Sequence, residues 1–159
     1  MKVNIDTIYP NELNDEIYQN TDLTDLIQSL QRNGQLEPIV VMRQKGKMTI
    51  VSGHRRYFAL KQLGVKEVEI RIDKFDNPII ALIEFNRYRQ KTATDILREG
   101  RYLEQEYRKK MGGGKGTRTD LKKTKSFDTL QKVAQDIGIG TSNYKKLKAI
   151  HRLSPDLLE

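Results

Sequence analysis

The sequence predicts an α+β domain followed by an all-α region that ends in a helix-turn-helix. Three observations carry this. Up to about residue 75, short β-patterned runs alternate with two amphipathic helical stretches. From Pro78 onward the apolar spacing is helical. The charge divides near the same place. Residues 1–86 carry 11 Lys/Arg against 12 Asp/Glu, residues 87–125 carry 13 against 5, and residues 126–159 carry 5 against 4. The net charge of +8 therefore belongs to one stretch that begins near Arg87.

The elements follow in order. Residues 3–8 (VNIDTI) alternate as a strand. Tyr9 to Asn20 is rich in Asn and Asp and reads as a loop. Thr21 and Asp22 can cap a helix to Asn33, with Leu23, Leu26, Ile27 and Leu30 on one face and Gly34 as its stop. Pro38 to Met42 and Met48 to Val51 read as a hairpin about Lys45-Gly46-Lys47. A helix follows Ser52 and runs through Leu63, and Val65 to Ile72 alternates as a strand. The order is β-α-β-β-α-β. Ile79 to Asn86 and Thr94 to Lys110 read as helices. Residues 112–126 hold four Gly and five Lys/Arg and read as a flexible basic loop. The phosphate-loop pattern G-x-x-x-x-G-K-[ST] is absent from it.

Composition sets the limits. The 159 residues are 36% hydrophobic and 31% charged, with a mean hydropathy of −0.69, polar but within the folded range. No apolar run is long enough to span a membrane. There is no cysteine, which excludes disulfides and thiolate metal sites and fits an intracellular location. Clustered cations favour a polyanion partner through counterion release, although a solvated basic helix would show the same excess.

Residues 130–150 (LQKVAQDIGIGTSNYKKLKAI) have the spacing of a helix-turn-helix. Val133, Ala134, Ile137, Ile139, Leu147 and Ile150 form its expected core. Gly138 sits where the turn needs a positive φ, and Thr141 or Ser142 is the expected cap of the second helix. Thr141, Ser142, Asn143, Lys145 and Lys146 would then face DNA, joined by Lys115, Arg118, Lys122 and Lys123 of the basic loop. A two-helix corner of an unrelated bundle is the plainer alternative. Tyr144 stands where such motifs usually carry a smaller aliphatic.

Ser52-Gly53-His54-Arg55-Arg56 joins a strand to a helix. Unpaired N–H groups at a helix start, a glycine that lets the backbone approach, and guanidinium forks together suit a phosphate. A Gly-x-Arg-Arg run alone is a weak signal, because surface arginine pairs are common.

The blocks in combination are more specific. Gly34-Gln35-Leu36-Glu37-Pro38-Ile39-Val40-Val41, Ile50 to Tyr57, Ala81-Leu82-Ile83-Glu84 and the helix-turn-helix together resemble the ParB family of partition proteins over nearly the whole chain. Pro10 to Asn14 and Glu84 to Thr92 are similar to its plasmid, phage and mobile-element branch. The resemblance implies a ParB/sulfiredoxin-like nucleotide-binding domain over 1–77, connecting helices over 78–111, the basic loop over 112–126, and a DNA-binding region over 127–159. That last region reads as truncated, lacking a C-terminal dimerisation or partner region.

The resemblance also implies the ligands. CTP, or another nucleoside triphosphate, with Mg²⁺ is expected on Ser29, Glu37, Ser52, Gly53, His54, Arg55 and Arg56, with Glu84 and Asn86 on the metal side. His54 replaces a family glutamate and Glu37 a family glutamine. The implied function is a nucleotide-switched, self-dimerising DNA-binding protein of plasmid or chromosome partition, with a ParA-type ATPase partner. Its expected location is cytoplasmic, on nucleoid or plasmid. Any nucleoside triphosphatase activity would be slow and regulatory. Two alternatives stand beside it: a transcriptional repressor with a non-functional nucleotide pocket, and a small-molecule kinase of the same fold. Sulfiredoxin chemistry is excluded by the absence of cysteine.

Overall fold

A computed structural model describes residues 1–18, 22–44, 46–110 and 129–154, and the chain forms two compact units, Met1–Phe85 and Asn86–Glu159. The first unit is built on a five-stranded mixed sheet of order β1-β5-β3-β4-β2, with β1 Lys2–Asn4, β2 Ile8–Tyr9, β3 Ile39–Gln44, β4 Lys47–Ser52 and β5 Glu67–Ile72. β3 pairs antiparallel with β4 across the hairpin and parallel with β5, which is the βαβ crossover. Strand alternation decides what each face meets. Ile39, Val41, Ile50, Val68 and Ile70 join Leu30, Tyr57 and Leu60 in one core. Leu30 comes from α2 (Thr24–Asn33), and Tyr57 and Leu60 from α3 (His54–Gln62). Met42 and Val51 pack instead with Ala81 of α4 (Pro78–Phe85).

Several elements differ from the sequence reading. The strand expected over 3–8 is two short strands split by a 3-10 turn at Ile5–Thr7. Asn4 causes the break, because its side chain accepts from Asp6 N–H (2.9 Å) and its carbonyl from the Thr7 hydroxyl (2.7 Å). The loop expected over 9–20 contains α1, Glu12–Ile17, capped by the Asn11 side chain on Leu13 N–H, and it buries Ile17. The boundary falls after Phe85 rather than 77, because α4 buries Ala81, Leu82 and Ile83 within the first unit.

The second unit holds α5 (Ala93–Lys110), α6 (129–137) and α7 (Thr141–Leu153). Thr92 and Asp95 cap α5 reciprocally, each backbone N–H donating to the other's side chain. Gly138 ends α6 at φ +88°, as the turn requires. The expected side-chain cap of α7 is absent: Gly140 is the capping residue and Thr141 lies inside the first turn. Ile150 is not core either; it is exposed. Tyr144 is the buried anchor of α7 alongside Val133, Ala134 and Ile137. Gly100 of α5 makes room for it, since a Cβ there would lie 2.0 Å from the Tyr144 hydroxyl oxygen.

This unit buries an unusual amount of charge. Lys91 Nζ meets Glu99 at 2.9 Å with both side chains almost wholly enclosed. Glu104 accepts from the Tyr144 hydroxyl (2.8 Å) and from Lys148 (2.5 Å). The Tyr107 hydroxyl donates to Asp136. No buried side-chain polar atom lacks a partner among the described residues, as a low-dielectric interior demands. No helix among them is long and apolar enough to cross a membrane.

Candidate anion site and candidate nucleic-acid face

The end of β4 delivers the chain to α3 through Gly53, at φ +97°. A Cβ at Gly53 would crowd the Ile39 backbone and the Arg56 guanidinium, both at 3.4 Å, besides straining the backbone. No side chain caps this helix. The first-turn N–H groups therefore point out of α3 without an intrahelical acceptor and carry the positive end of the helix dipole.

The two arginines are held differently. Arg55 is exposed and its guanidinium donates to the Asp22 carbonyl at 2.6 Å. Arg56 is half-buried and donates to the carbonyls of Glu37 (3.2 Å) and Pro38 (3.0 Å) and to the Glu37 carboxylate (2.7 Å). Glu37 is therefore balanced by Arg56 and is not an isolated negative charge.

His54 is 5% exposed, and its Nε2 accepts the Asn11 N–H at 3.2 Å. That requires the neutral ring with its proton on Nδ1. Burial pulls its pKa down to about 4, against a small opposing effect of Asp15. His54 adds no positive charge to an anion here. Its side chain instead ties the start of α3 to the cap of α1, 43 residues away in sequence. Asn11 and Asp22 were absent from the expected site because their roles rest on backbone groups, which residue type does not reveal.

Ser52 closes β4 and is half-buried, as is Ser29 on α2, the helix packed beside α3. Glu84 lies exposed in the last turn of α4, while Asn86 opens the second unit, so the two metal-side candidates fall in different units. Among the described residues no group of three or more His, Cys, Asp or Glu is placed to hold a metal. A Mg²⁺ ion commonly uses one or two carboxylates plus phosphate oxygens and water. Glu84 fits that pattern only as the partner of a bound triphosphate.

On α7, Ser142, Asn143, Lys145 and Lys146 are exposed and Thr141 is half-buried. The burial of Tyr144 fixes this orientation. Residues one and two positions from it turn outward at 100° per residue. Lys115, Arg118, Lys122 and Lys123 lie outside the described residues.

Comparison with known proteins bears on this arrangement. Residues 1–85 match the family model of the ParB N-terminal domain. The chain belongs to the ParB family. It is 34% identical over 86 residues to a probable chromosome-partitioning protein ParB of Campylobacter jejuni, covering 52% of this chain and 31% of that protein. The chain thus spans about a third of the length of the curated relatives it matches. Among solved structures it is similar to a Pnob8-like ParB-N domain, with a TM-score of 0.68 at 19% identity, covering 99% of this chain and 70% of that one. It is also similar to the C-terminally truncated chromosome-partitioning protein ParB of Caulobacter crescentus, solved in complex with the centromeric parS site. There the TM-score is 0.55 at 23% identity, covering 92% of this chain and 69% of that one. These likenesses establish the ParB N-terminal α+β fold for the first unit.

Proposed function

We propose that this chain is a nucleotide-switched DNA-binding protein of the partition type, with the triphosphate of a CTP-class nucleotide on the start of α3. The observation that carries this reading is the uncapped first turn after Gly53, with Arg55 exposed beside it. The backbone N–H groups of His54, Arg55 and Arg56 would receive phosphate oxygens, and Gly53 lets the phosphate come close. Arg55 would leave the Asp22 carbonyl to fork onto the phosphate, a stronger charge-assisted bond. Arg56 and Glu37 would line the adjoining wall as a neutral pair, with Ser52 and Ser29 nearby. Mg²⁺, when bound to the phosphates and Glu84, would offset phosphate charge. His54 would act through shape, holding the α1 cap against α3.

The outer side of α7, with Thr141, Ser142, Asn143, Lys145 and Lys146, is the proposed DNA surface. The parS complex of the Caulobacter relative supports DNA as the partner. Nucleotide-dependent self-association, a ParA-type ATPase partner and a nucleoid or plasmid location follow from family membership as parts of the same proposal. A kinase reading is not favoured, because the family model and the curated relatives that the chain matches are of the ParB and nucleoid-occlusion type.

Calorimetry with CTP, ATP and GTP in the presence of Mg²⁺ tests the proposal. Saturable binding of one of them supports it. No binding by any of the three leaves a DNA-binding repressor with a non-functional pocket.

A further inference from the structure

The side-chain charges around the start of α3 balance. Arg55 and Arg56 bring cations to it, and the enclosed neutral ring of His54 brings none. Carboxylates stand against both arginines. Asp22 caps the start of α2 by accepting Thr24 N–H at 3.0 Å. Its bonds with Thr24, and more weakly the charge of Arg55, hold its carboxyl below the usual range. Glu37 meets Arg56 at 2.7 Å. Asp15 adds a further negative field at His54. An anion arriving here meets directed N–H groups but no surplus of cationic side chains.

Glu37 is placed to act on whatever occupies this turn. The Arg56 guanidinium lies against Gly53, 3.4 Å from where a Cβ would stand, and the Ile39 backbone, just beyond Glu37 and Pro38, lies equally close. Arg56 is fixed there by the carbonyls of Glu37 and Pro38 as well as by the Glu37 carboxylate. The Glu37 side chain is 75% exposed and that of Arg56 only 23%. The carboxylate is thus open to a ligand arriving from solvent, while its cation is the more enclosed partner. So exposed a pair adds little to stability; its weight falls on the ligand. At about 8 Å and low salt, one carboxylate weakens binding by about threefold for every two negative charges on the ligand. A free nucleoside triphosphate carries about four such charges, and a bound divalent cation offsets about two of them.

We propose that Glu37 is a specificity-determining residue that makes this site select the metal-complexed nucleotide over the free one. The first-turn N–H groups and Arg55 draw either form. Glu37 repels the free form more, in proportion to its charge, and the divalent cation carried by the ligand relieves that repulsion. The inference rests on the reading that a nucleotide sits at the start of α3. It concerns the charge of Glu37, not a contribution of its ion pair to folding.

Calorimetry tests it by titrating CTP, ATP and GTP into wild type, Glu37→Gln and Glu37→Asp, with Mg²⁺ present and with EDTA in its place. Glu37→Gln keeps an oxygen acceptor for Arg56 and leaves the backbone contacts intact, so the fold should stand. It should bind the nucleotide about threefold more tightly than wild type with Mg²⁺ and about ninefold more tightly in EDTA, both at low salt. Glu37→Asp keeps the charge and should keep the wild-type preference for the Mg²⁺ form. Rising salt should shrink the difference between the two gains, which a purely structural role of Glu37 would not produce. With Mg²⁺-dependent binding intact in wild type, four results would overturn the inference alone: equal gains in the two conditions, no gain in either, the same relaxed preference in Glu37→Asp, or no binding in EDTA by Glu37→Gln. No binding of any of the three nucleotides with Mg²⁺, by wild type or Glu37→Gln, would overturn the nucleotide site at α3 and this inference with it.

Discussion

Two helix starts in this molecule look alike in sequence and differ in build. Each follows a glycine and neither has a side-chain cap. At α3, Gly53 is in the left-handed region and the arginines behind it are tethered to carbonyls of neighbouring segments. At α7, Gly140 is extended, and Lys145 and Lys146 stand exposed one turn further on. The first arrangement concentrates directed donors on one point, which suits a single compact anion. The second spreads exposed charge along an outer face, which suits a polyanion with repeated phosphates. Their foundations differ too. α3 rests on an apolar core with one buried neutral histidine, and α7 on the buried Tyr144, whose hydroxyl donates to Glu104 of α5.

That contrast can be broken at several points. The largest expected effect is on the enclosed Lys91–Glu99 pair of the second unit. Lys91→Met leaves Glu99 charged and enclosed, and should destabilise the chain by about 3 to 5 kcal/mol in urea unfolding. Lys91→Met/Glu99→Leu should recover most of the loss, because the enclosed charge is gone; no recovery would mean that the charge is not the cause of the loss.

His54 gives the corresponding test for α3. Its folded pKa is about 4 against 6.5 for the free group, so the unfolded chain takes up the proton first as pH falls. The stability due to neutral His54 is complete above about pH 6.5 and is lost progressively toward pH 4. By linkage this amounts to about 3 kcal/mol. His54→Gln should flatten the stability–pH curve in that window, and an unaltered curve would place the histidine in solvent.

A smaller effect is expected on the outer face of α7. Lys145→Ala/Lys146→Ala should lower the slope of log affinity against log salt for DNA by about 2, roughly one phosphate contact per lysine. An unchanged slope would remove this face from the interface.

The sequence revealed these regions unequally. Periodicity and glycine stops placed α2, α3, α5 and the β3–β4 hairpin, because each has an apolar face and a clear end. The Ser52–Arg56 run was legible as a strand-to-helix turn because the signal lies in contiguous residues. α1 was missed: at six residues it offers no repeat, and only Asn11 as a cap announces it. The roles of His54 and Glu37 were illegible, since they depend on Asn11 and Arg56, 43 and 19 positions away. Tyr144 looked out of place until Gly100, on another helix, supplied the space for its ring. Ile150 was misplaced because Tyr144, not the aliphatic pattern, sets the rotation of α7.

The central claim is that the two helix starts do separate jobs. Calorimetric titration of the best-binding nucleotide with Mg²⁺ into wild type, Arg55→Ala and Lys145→Ala/Lys146→Ala tests it most directly. Loss of one charged hydrogen-bond donor predicts about 10- to 100-fold weaker nucleotide binding for Arg55→Ala. The lysine variant should bind nucleotide as wild type does. Equal affinity in wild type and Arg55→Ala, or a nucleotide defect confined to the lysine variant, would contradict the assignment of the nucleotide to α3.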